Sequence, residues 1–505
     1  MILPQIEPTF SVTIKNVESF YVQNFGCRAT QADGAAIERQ FQELGLDRAG
    51  GPSKAGIVVL NTCTVTASAD QDVRAAIRRI HRENPGCRIV VTGCYAQRAP
   101  EELATLPGVS QVIGNSHKHR LAEIAELGLR TSDLRPRPGS QARDFVPLLE
   151  LVGEDEGPRT EVRSHVFVSD IFAHTELLAA PVFDAANERT RPNLKVQDGC
   201  DNRCSFCVIP YVRGQSRSLP LGEVLREVNA LVESGYREVV ISGINLGRWG
   251  RDFVWGGRPR PPRFEDLVRA ILSETSLDKL RISSVEPMDW SDELIQMMAQ
   301  SPRIAKHAHV PLQSGSDRVL RAMHRKYRPW HYREKIEKIR AAMPAAAIGA
   351  DVMAGFPGEE GDDFDETVRM VEALPFTYLH VFTYSARPGT PAAALRNQVP
   401  VHVARERNRI LRELAAEKKL AFMRSFVGQT VEAITLQSPH SLSSRAELDD
   451  LPAKQSGRVE GPVVFTEALT DNYLKLRLEG RHQPNHWLTA QVAHVECGTL
   501  FGTLN

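Results

Sequence analysis

Val196-Gln197-Asp198-Gly199-Cys200-Asp201-Asn202-Arg203-Cys204-Ser205-Phe206-Cys207 places three cysteines within eight positions, spaced Cys200-x3-Cys204-x2-Cys207 and flanked by Gly199 and Pro210. Three thiolates on one short loop can hold three irons of a [4Fe–4S] cluster. The fourth iron is then open to a small molecule. Structural zinc is the competing use of such a loop, but zinc wants a fourth Cys or His nearby. The next cysteine here is Cys497. Three close cysteines also cannot all pair as disulfides among themselves.

Outward from this loop, residues 190–420 repeat strand and helix patterns. Val239-Val240-Ile241-Ser242-Gly243 reads as a strand entering a glycine turn. Before it, 221–234 reads as an amphipathic helix with Val224, Leu225, Val228, Leu231 and Val232 on one side. Leu280-Arg281-Ile282-Ser283-Ser284, His309-Val310-Pro311-Leu312-Gln313, Ile348-Gly349-Ala350-Asp351-Val352-Met353 and Leu379-His380-Val381-Phe382 read as later strands. Repeated β–α units predict a barrel or partial barrel of parallel strands with its chemistry at the C-terminal strand ends. Polar clusters fall there: Ser242 to Asn245, Ser283 to Pro287, Gln313 to Asp317 and Gly355 to Glu359.

Three more cysteines follow strand patterns nearer the N-terminus. Ser19 to Phe25 leads to Gly26-Cys27, Gly56 to Leu60 to Asn61-Thr62-Cys63, and Arg88 to Thr92 to Gly93-Cys94. A helix capped by Ser68 is expected to bury Val73, Ile77 and Ile80. Alternating strand, turn and helix predicts a parallel sheet with helices on both faces and ligands beyond its C-terminal edge. Cys27, Cys63 and Cys94 would converge there as a second three-thiolate site. Each alone would be unremarkable as a small core residue. Cys87 and Cys497 have no sequence partner and read as structural.

The 505 residues allow about three domains. Apolar content of 42% and charged content of 25% are those of a globular protein. Met1 to Phe20 lacks the pattern of a signal peptide, and no apolar run is long enough to span a membrane. Eight cysteines are too sparse for a secreted disulfide scaffold, so a reducing, cytoplasmic compartment is expected. Lys plus Arg and Asp plus Glu both total 62, so no global charge draws nucleic acid.

Together these motifs resemble the radical S-adenosylmethionine methylthiotransferases. The likeness runs through Asn24 to Cys27, Asn61 to Thr66, Thr92 to Cys94, the Cys200/Cys204/Cys207 loop, Arg213-Gly214, Ser283 to Pro287, Pro311 to Asp317, Gly355 to Glu359 and His380 to Ser385. It implies an α/β multidomain chain. Residues 15–145 would form the N-terminal parallel-sheet domain and 146–190 a connector. Residues 191–422 would form a radical S-adenosylmethionine partial (β/α) barrel, and 424–505 a small all-β TRAM domain that binds RNA. It also implies two [4Fe–4S] clusters, a catalytic one on Cys200, Cys204 and Cys207 and an auxiliary one on Cys27, Cys63 and Cys94. S-adenosylmethionine would meet Gly243 and Asn245 with its methionine part, Gly355 and Glu359 with its adenine part, and the Gln313-Ser314 turn. An electron-donor protein and a sulfur source are implied partners, and no membrane.

Three subgroups of the family act on isopentenyl-adenosine in tRNA, on threonylcarbamoyl-adenosine in tRNA, or on an aspartate of a ribosomal protein. Cys63 to Thr66, Asp471-Asn472-Tyr473 (taken as a strand) and His380 to Ser385 resemble the threonylcarbamoyl-adenosine group. The expected activity is therefore methylthiolation at C2 of that nucleoside beside the anticodon. A non-catalytic iron–sulfur protein that binds RNA or senses redox state is the alternative of another class. The 145–191 connector is long for the family, and 251–263 looks inserted. Arg258, Arg260 and Arg263 there make either a tRNA-contacting patch or a solvated loop. Residues 438–457 interrupt the last domain. From Arg424 onward, seven Lys/Arg face nine Asp/Glu, so any RNA contact there must use a local face.

Overall fold

The computed structural model describes residues 19–127, 165–174, 177, 190–253, 260–437 and 464–504. Arg258, the 438–457 interruption and most of the 146–190 connector lie outside them.

The N-terminal strands are β1 (Ser19–Asn24), β2 (Asp47–Arg48), β3 (Ile57–Thr62), β4 (Arg88–Gly93), β5 (Val109–Gly114) and β6 (His165–Phe167). They form one parallel sheet in the order β2-β1-β3-β4-β5-β6. β6 comes from the stretch read as a connector. β3 is buried along its whole length, which is why it is apolar on both faces. Ile57 and Val59 pack with Ile37 and Phe41 on one side. Val58 and Leu60 pack with Val73, Ile77 and Ile80 on the other. The helix carrying those last three is Ala67–Glu83, and Thr66, not Ser68, caps it by accepting from the Ala69 N–H at 3.2 Å. Ser68 lies inside the first turn, where its hydroxyl cannot cap.

The central strands are β7 (Asn193–Asp198), β8 (Arg217–Ser218), β9 (Glu238–Gly243), β10 (Lys279–Ile282), β11 (His307–His309), β12 (Ala347–Ala354) and β13 (Tyr378–Thr383). Single bridges, Leu280 to Ile304 and Ser284 to His309, join the two hydrogen-bonded groups. The parallel order is β7-β9-β10-β11-β12-β13, a partial barrel, with β8 antiparallel on the β7 edge. Strand alternation divides its faces. Leu194, Val196, Val239, Ile241, Leu280, Ile282, Ala308, Ile348, Ala350 and Val352 enter the apolar core shared with the helices. The opposite face carries Lys195, Gln197, Glu238, Ser242, Arg281, His307, His309, Asp351, Tyr378 and His380. The concave side is polar.

The 24-residue helix Val401–Arg424 leads to β14 (Thr430–Thr435), β15 (Phe465–Thr470), β16 (Lys475–Glu479), β17 (Trp487–Glu496) and β18 (Thr499–Leu504). These close a small barrel in the order β14-β15-β16-β18-β17. Asp471-Asn472-Tyr473 is a turn between β15 and β16, not a strand. The Thr470 hydroxyl donates to Asn472 Oδ1 at 2.6 Å and accepts from the Leu474 N–H at 2.8 Å, which closes the turn and sets Tyr473 at φ 69°. That turn docks on the central barrel: Arg281 donates to the Asp471 carbonyl at 2.9 Å, and Asn472 to that of Ala345 at 3.0 Å. Cys497 sits exposed at φ 45° in the β17–β18 turn. Cys87 packs at the edge of the N-terminal core.

Candidate active site

The cysteine loop leaves β7 through Gly199, at φ 72°, where a Cβ would fall 1.8 Å from the Gln215 carbonyl oxygen. Only glycine fits that approach. Asp198 holds the loop base: it accepts from the Gly199 N–H at 2.8 Å and from Arg213 Nη1 at 2.9 and 3.0 Å. Cys200, Cys204 and Cys207 are all partly open. Asn245 Nδ2 donates toward Cys200 Sγ at 3.7 Å and Arg325 Nη1 to Cys204 Sγ at 3.2 Å. Arg325 is itself ion-paired with Glu286. Burial, and then the neighbouring thiol of Cys204, pushes Cys207 up to about 12. Burial pushes Cys200 up to about 11. Among the described residues no group of three or more His, Cys, Asp or Glu is close enough to hold one metal ion. Three sulfurs with N–H donors aimed at them fit a larger cluster.

The second triad lies at the C-terminal edge of neighbouring strands. Cys27 follows β1 and starts the helix Arg28–Glu43; Cys63 follows β3; Cys94 follows β4 and opens the helix Cys94–Arg98. Gly26 (φ 97°) crowds against Cys63: a Cβ on it would lie 2.5 Å from the Cys63 Cβ. Burial pushes the Cys63 thiol up to about 12, with Cys94 and Cys27 adding to it. Asn115 Nδ2 donates toward Cys94 Sγ at 3.7 Å.

Behind this triad lies a buried charge set. Asp33 accepts from Lys118 Nζ at 2.9 Å, from Arg213 Nη2 at 2.9 Å and from Lys195 Nζ, which also meets Asp198 at 2.8 Å. Three cations against two carboxylates leave one surplus positive charge. Burial opposes ionisation of Asp33, but Lys118, Lys195 and Arg213 outweigh it and hold the carboxyl far below the usual range. Burial likewise opposes the Arg213 charge, and Asp198, Cys94, Asp33 and Cys27 restore it. A positive charge placed against Cys94 and Cys27 suits a thiolate-bound, anionic cluster.

The segment after the cysteine loop packs on one member of the second triad. Cys94 packs with Val208 and Val212, and Val208 directly follows Cys207. Asn115 Nδ2 also donates to the Val212 carbonyl at 2.7 Å. Across the barrel mouth, Arg387 donates to the Thr64 carbonyl at 3.2 Å and pairs with Asp70 at 2.9 Å, while Ser385 Oγ accepts from the Ala67 N–H at 3.1 Å. The sheet domain thus covers the barrel opening.

Gly243 packs on Gln197, whose Oε1 accepts from the Asn245 N–H at 2.7 Å. Ser242 Oγ and Asn245 Oδ1 are buried without hydrogen-bond partners. Gln313 stands at φ 67°, rare for a residue with a side chain and frequent at ligand sites. Ser314 is buried, its hydroxyl 3.3 Å from that of Thr367. Gly355 lies against Ala404, and Glu359 is engaged by the Gly355 N–H at 3.0 Å and by Arg407 at 2.6 Å. Ser314, Gly355 and Glu359 therefore brace the rim through protein contacts. Arg251, Arg260 and Arg263 are each paired with Asp289, Asp266 and Glu293 respectively, as in an anchored solvated loop.

Sequence reasoning missed Arg325, the Asp33 charge set and the inward histidines. One signal was present. Asn193, Lys195 and Gln197 alternate with Leu194 and Val196 on a strand buried on both faces, where polar residues need a reason.

The fold and its cysteine loop define a radical S-adenosylmethionine enzyme: the Radical SAM superfamily matches residues 194–371, and the Uncharacterized protein family UPF0004 matches residues 19–114. A solved radical S-adenosylmethionine methyltransferase, TsrM from Kitasatospora setae, shares the fold with a TM-score of 0.50 at 16% identity, covering 74% of each chain. Threonylcarbamoyladenosine tRNA methylthiotransferase MtaB of Bacillus subtilis is 33% identical over 90% of this chain and 89% of its own. The tRNA-2-methylthio-N(6)-dimethylallyladenosine synthase of Novosphingobium aromaticivorans is 32% identical over 86% and 94%. The chain belongs to the radical S-adenosylmethionine tRNA methylthiotransferase family. Among the described residues no helix is long and apolar enough to cross a membrane.

Proposed function

We propose that this protein methylthiolates C2 of N6-threonylcarbamoyladenosine beside the anticodon of tRNA. Cys200, Cys204 and Cys207 would hold one [4Fe–4S] cluster and Cys27, Cys63 and Cys94 another. The observation that carries the reading is the packing of Cys94 on Val208, the residue after Cys207, which supports two neighbouring thiolate sites. When bound, the clusters and S-adenosylmethionine supply one-electron cleavage, hydrogen abstraction and the methylthio group. The chain's own residues do the rest. Asn245 and Arg325 direct N–H groups at the Cys200 and Cys204 sulfurs. Arg213 supports the negative charge of the other triad. Gly243 and Asn245 would meet the methionine half of S-adenosylmethionine, Gly355 and Glu359 its adenine half, and the Gln313-Ser314 turn would line the same site. The Arg387 contacts to Thr64 and Asp70 close the mouth against water.

Relatives named for two different adenosines are almost equally similar, so identity does not choose the substrate. The polar concave face favours the threonylcarbamoyl group over the wholly apolar isopentenyl group. An electron-donor protein and a sulfur source complete the system, and the reducing cytoplasm suits its free cysteines. The test offers reconstituted enzyme three substrates: tRNA with each modified adenosine, and the ribosomal protein. Methylthio product from the threonylcarbamoyl tRNA alone is expected. Turnover of either other substrate with that one untouched overturns the assignment.

A further inference from the structure

On the concave face, β11, β12 and β13 bring one group of side chains together. His309 pairs in register with Gly349, Asp351 with His380, and Met353 with Phe382. The His309 and His380 rings lie 5.6 Å apart, and Tyr378 lies 6.0 Å from the first and 5.2 Å from the second. Tyr378 crosses over Gly349, where a Cβ would fall 2.1 Å from its ring, and so forms a floor. Beneath it, the tilted rings of Tyr473 and His307 lie 4.7 Å apart and block further entry. His309 is only 7% exposed, yet neither ring nitrogen has a hydrogen-bond partner; Nε2 stands 3.4 Å from Asp351 Oδ1. A buried imidazole left unsatisfied costs stability and calls for a ligand. Above it His380 is open and Phe382 is 47% exposed. Partial burial, and then the neighbouring His309, hold His380 below its ordinary value, and a neutral imidazole both donates and accepts. Arg28, next to Cys27, donates to the Tyr473 hydroxyl at 3.0 Å and brings positive charge to the same wall.

We infer that His309, Asp351 and His380 form the pocket that reads the polar N6 substituent of the substrate adenosine, with Phe382 as the surface on which its base stacks. This rests on the function proposed above and deepens it. Unpaired nucleobases are held by stacking on aromatic side chains with hydrogen bonds to their edges. A threonylcarbamoyl group offers urea N–H donors, a carbonyl, a hydroxyl and a carboxylate. Asp351 can accept from the urea, the imidazoles can serve the carbonyl and hydroxyl, and Arg28 can attract the carboxylate. An isopentenyl group would leave all of these desolvated and unpaired, which is how a hydrogen-bonding site rejects an apolar analogue. Adjacency of Arg28 to Cys27 places this pocket beside the second triad.

The test measures binding, apart from turnover. Reconstituted full-length protein is titrated with anticodon stem-loop RNAs of one sequence carrying adenosine, isopentenyl-adenosine or threonylcarbamoyl-adenosine. Wild type is expected to favour the threonylcarbamoyl RNA over plain adenosine by roughly ten- to a hundredfold, the worth of one buried hydrogen bond to a charged group. His380→Ala and Asp351→Asn should bring that ratio close to one, and His309→Phe likewise. Iron content reports whether each variant folds, and exposed His380→Ala decides the matter if His309→Phe loses its iron. Wild-type preference with the ratio intact in His380→Ala and Asp351→Asn overturns the pocket alone. Wild-type preference for the isopentenyl or unmodified RNA overturns the substrate assignment, and the pocket with it.

Discussion

Replacing Asp33 with Asn should loosen the joint between the sheet domain and the barrel. Asp33 is 1% exposed and meets Lys118 from its own domain and Lys195 and Arg213 from the other. The asparagine keeps the shape and removes the charge, leaving three buried cations to share Asp198. Breaking a buried ion pair by removing one partner costs about 3–5 kcal/mol. The three lost contacts share one carboxylate and do not add. Thermal denaturation should show the joint melting several degrees earlier, with faster tryptic cleavage between the domains. A second substitution, Lys118→Met, should recover part of the loss because it removes one stranded charge. The pH dependence has a definite sign. The folded carboxyl is held below its unfolded value, so its stabilisation is complete above an unfolded pKa of about 4 and is lost as pH falls further. The gap between wild type and Asp33→Asn should stay flat from about pH 5 to 8 and narrow below about 4. An unchanged melting temperature, or a double variant worse than the sum of its parts, would refute this account.

Anaerobic reconstitution should give about eight irons per chain and about four after Cys200, Cys204 and Cys207 are changed to Ala; loss of all iron would show the sites to be interdependent. With Cys27, Cys63 and Cys94 changed to Ala, a strong reductant should still yield 5′-deoxyadenosine from S-adenosylmethionine, while nucleoside analysis shows no methylthio product. Tyr473→Ala should cost about 1–3 kcal/mol in lost aromatic burial. Tyr473→Gly should melt above Tyr473→Ala, since only glycine relieves the positive φ. RNA affinity should fall as salt rises, and a slope of zero would exclude Lys or Arg contacts to phosphate.

The sequence disclosed whatever is local. Apolar runs ending in a glycine or asparagine turn located β1, β3 and β4, and the three- to four-residue period of Val73, Ile77 and Ile80 gave the buried face of their helix. The six cysteines stood out by spacing and by equivalence of position. The capping residue was missed because Thr66 and Ser68 are both competent and only the true helix start separates them. Tyr473 was misplaced in a strand because the bond that closes its turn, from Thr470 to Asn472, involves side chains and leaves no mark on hydrophobic periodicity. The Asp33 set was invisible for another reason: its partner Lys195 is 162 positions away, and only the fold joins them. The same holds for His309 and His380, whose meaning depends on register between strands.

That same charge set bears on how far this architecture can be rearranged. Asp33 and Lys118 belong to one domain, and Lys195, Arg213 and Asp198 to the other, so the barrel half by itself carries an uncompensated positive charge. A hybrid built from the sheet of one relative and the barrel of a second would keep its cysteines and still assemble badly, unless both parents carry matched charges at this seam. Exchange of whole domains, simple for modules tied by a linker, would here require the recipient barrel to hold the counterparts of Lys195, Asp198 and Arg213 beforehand. The two triads therefore travel as one inheritance.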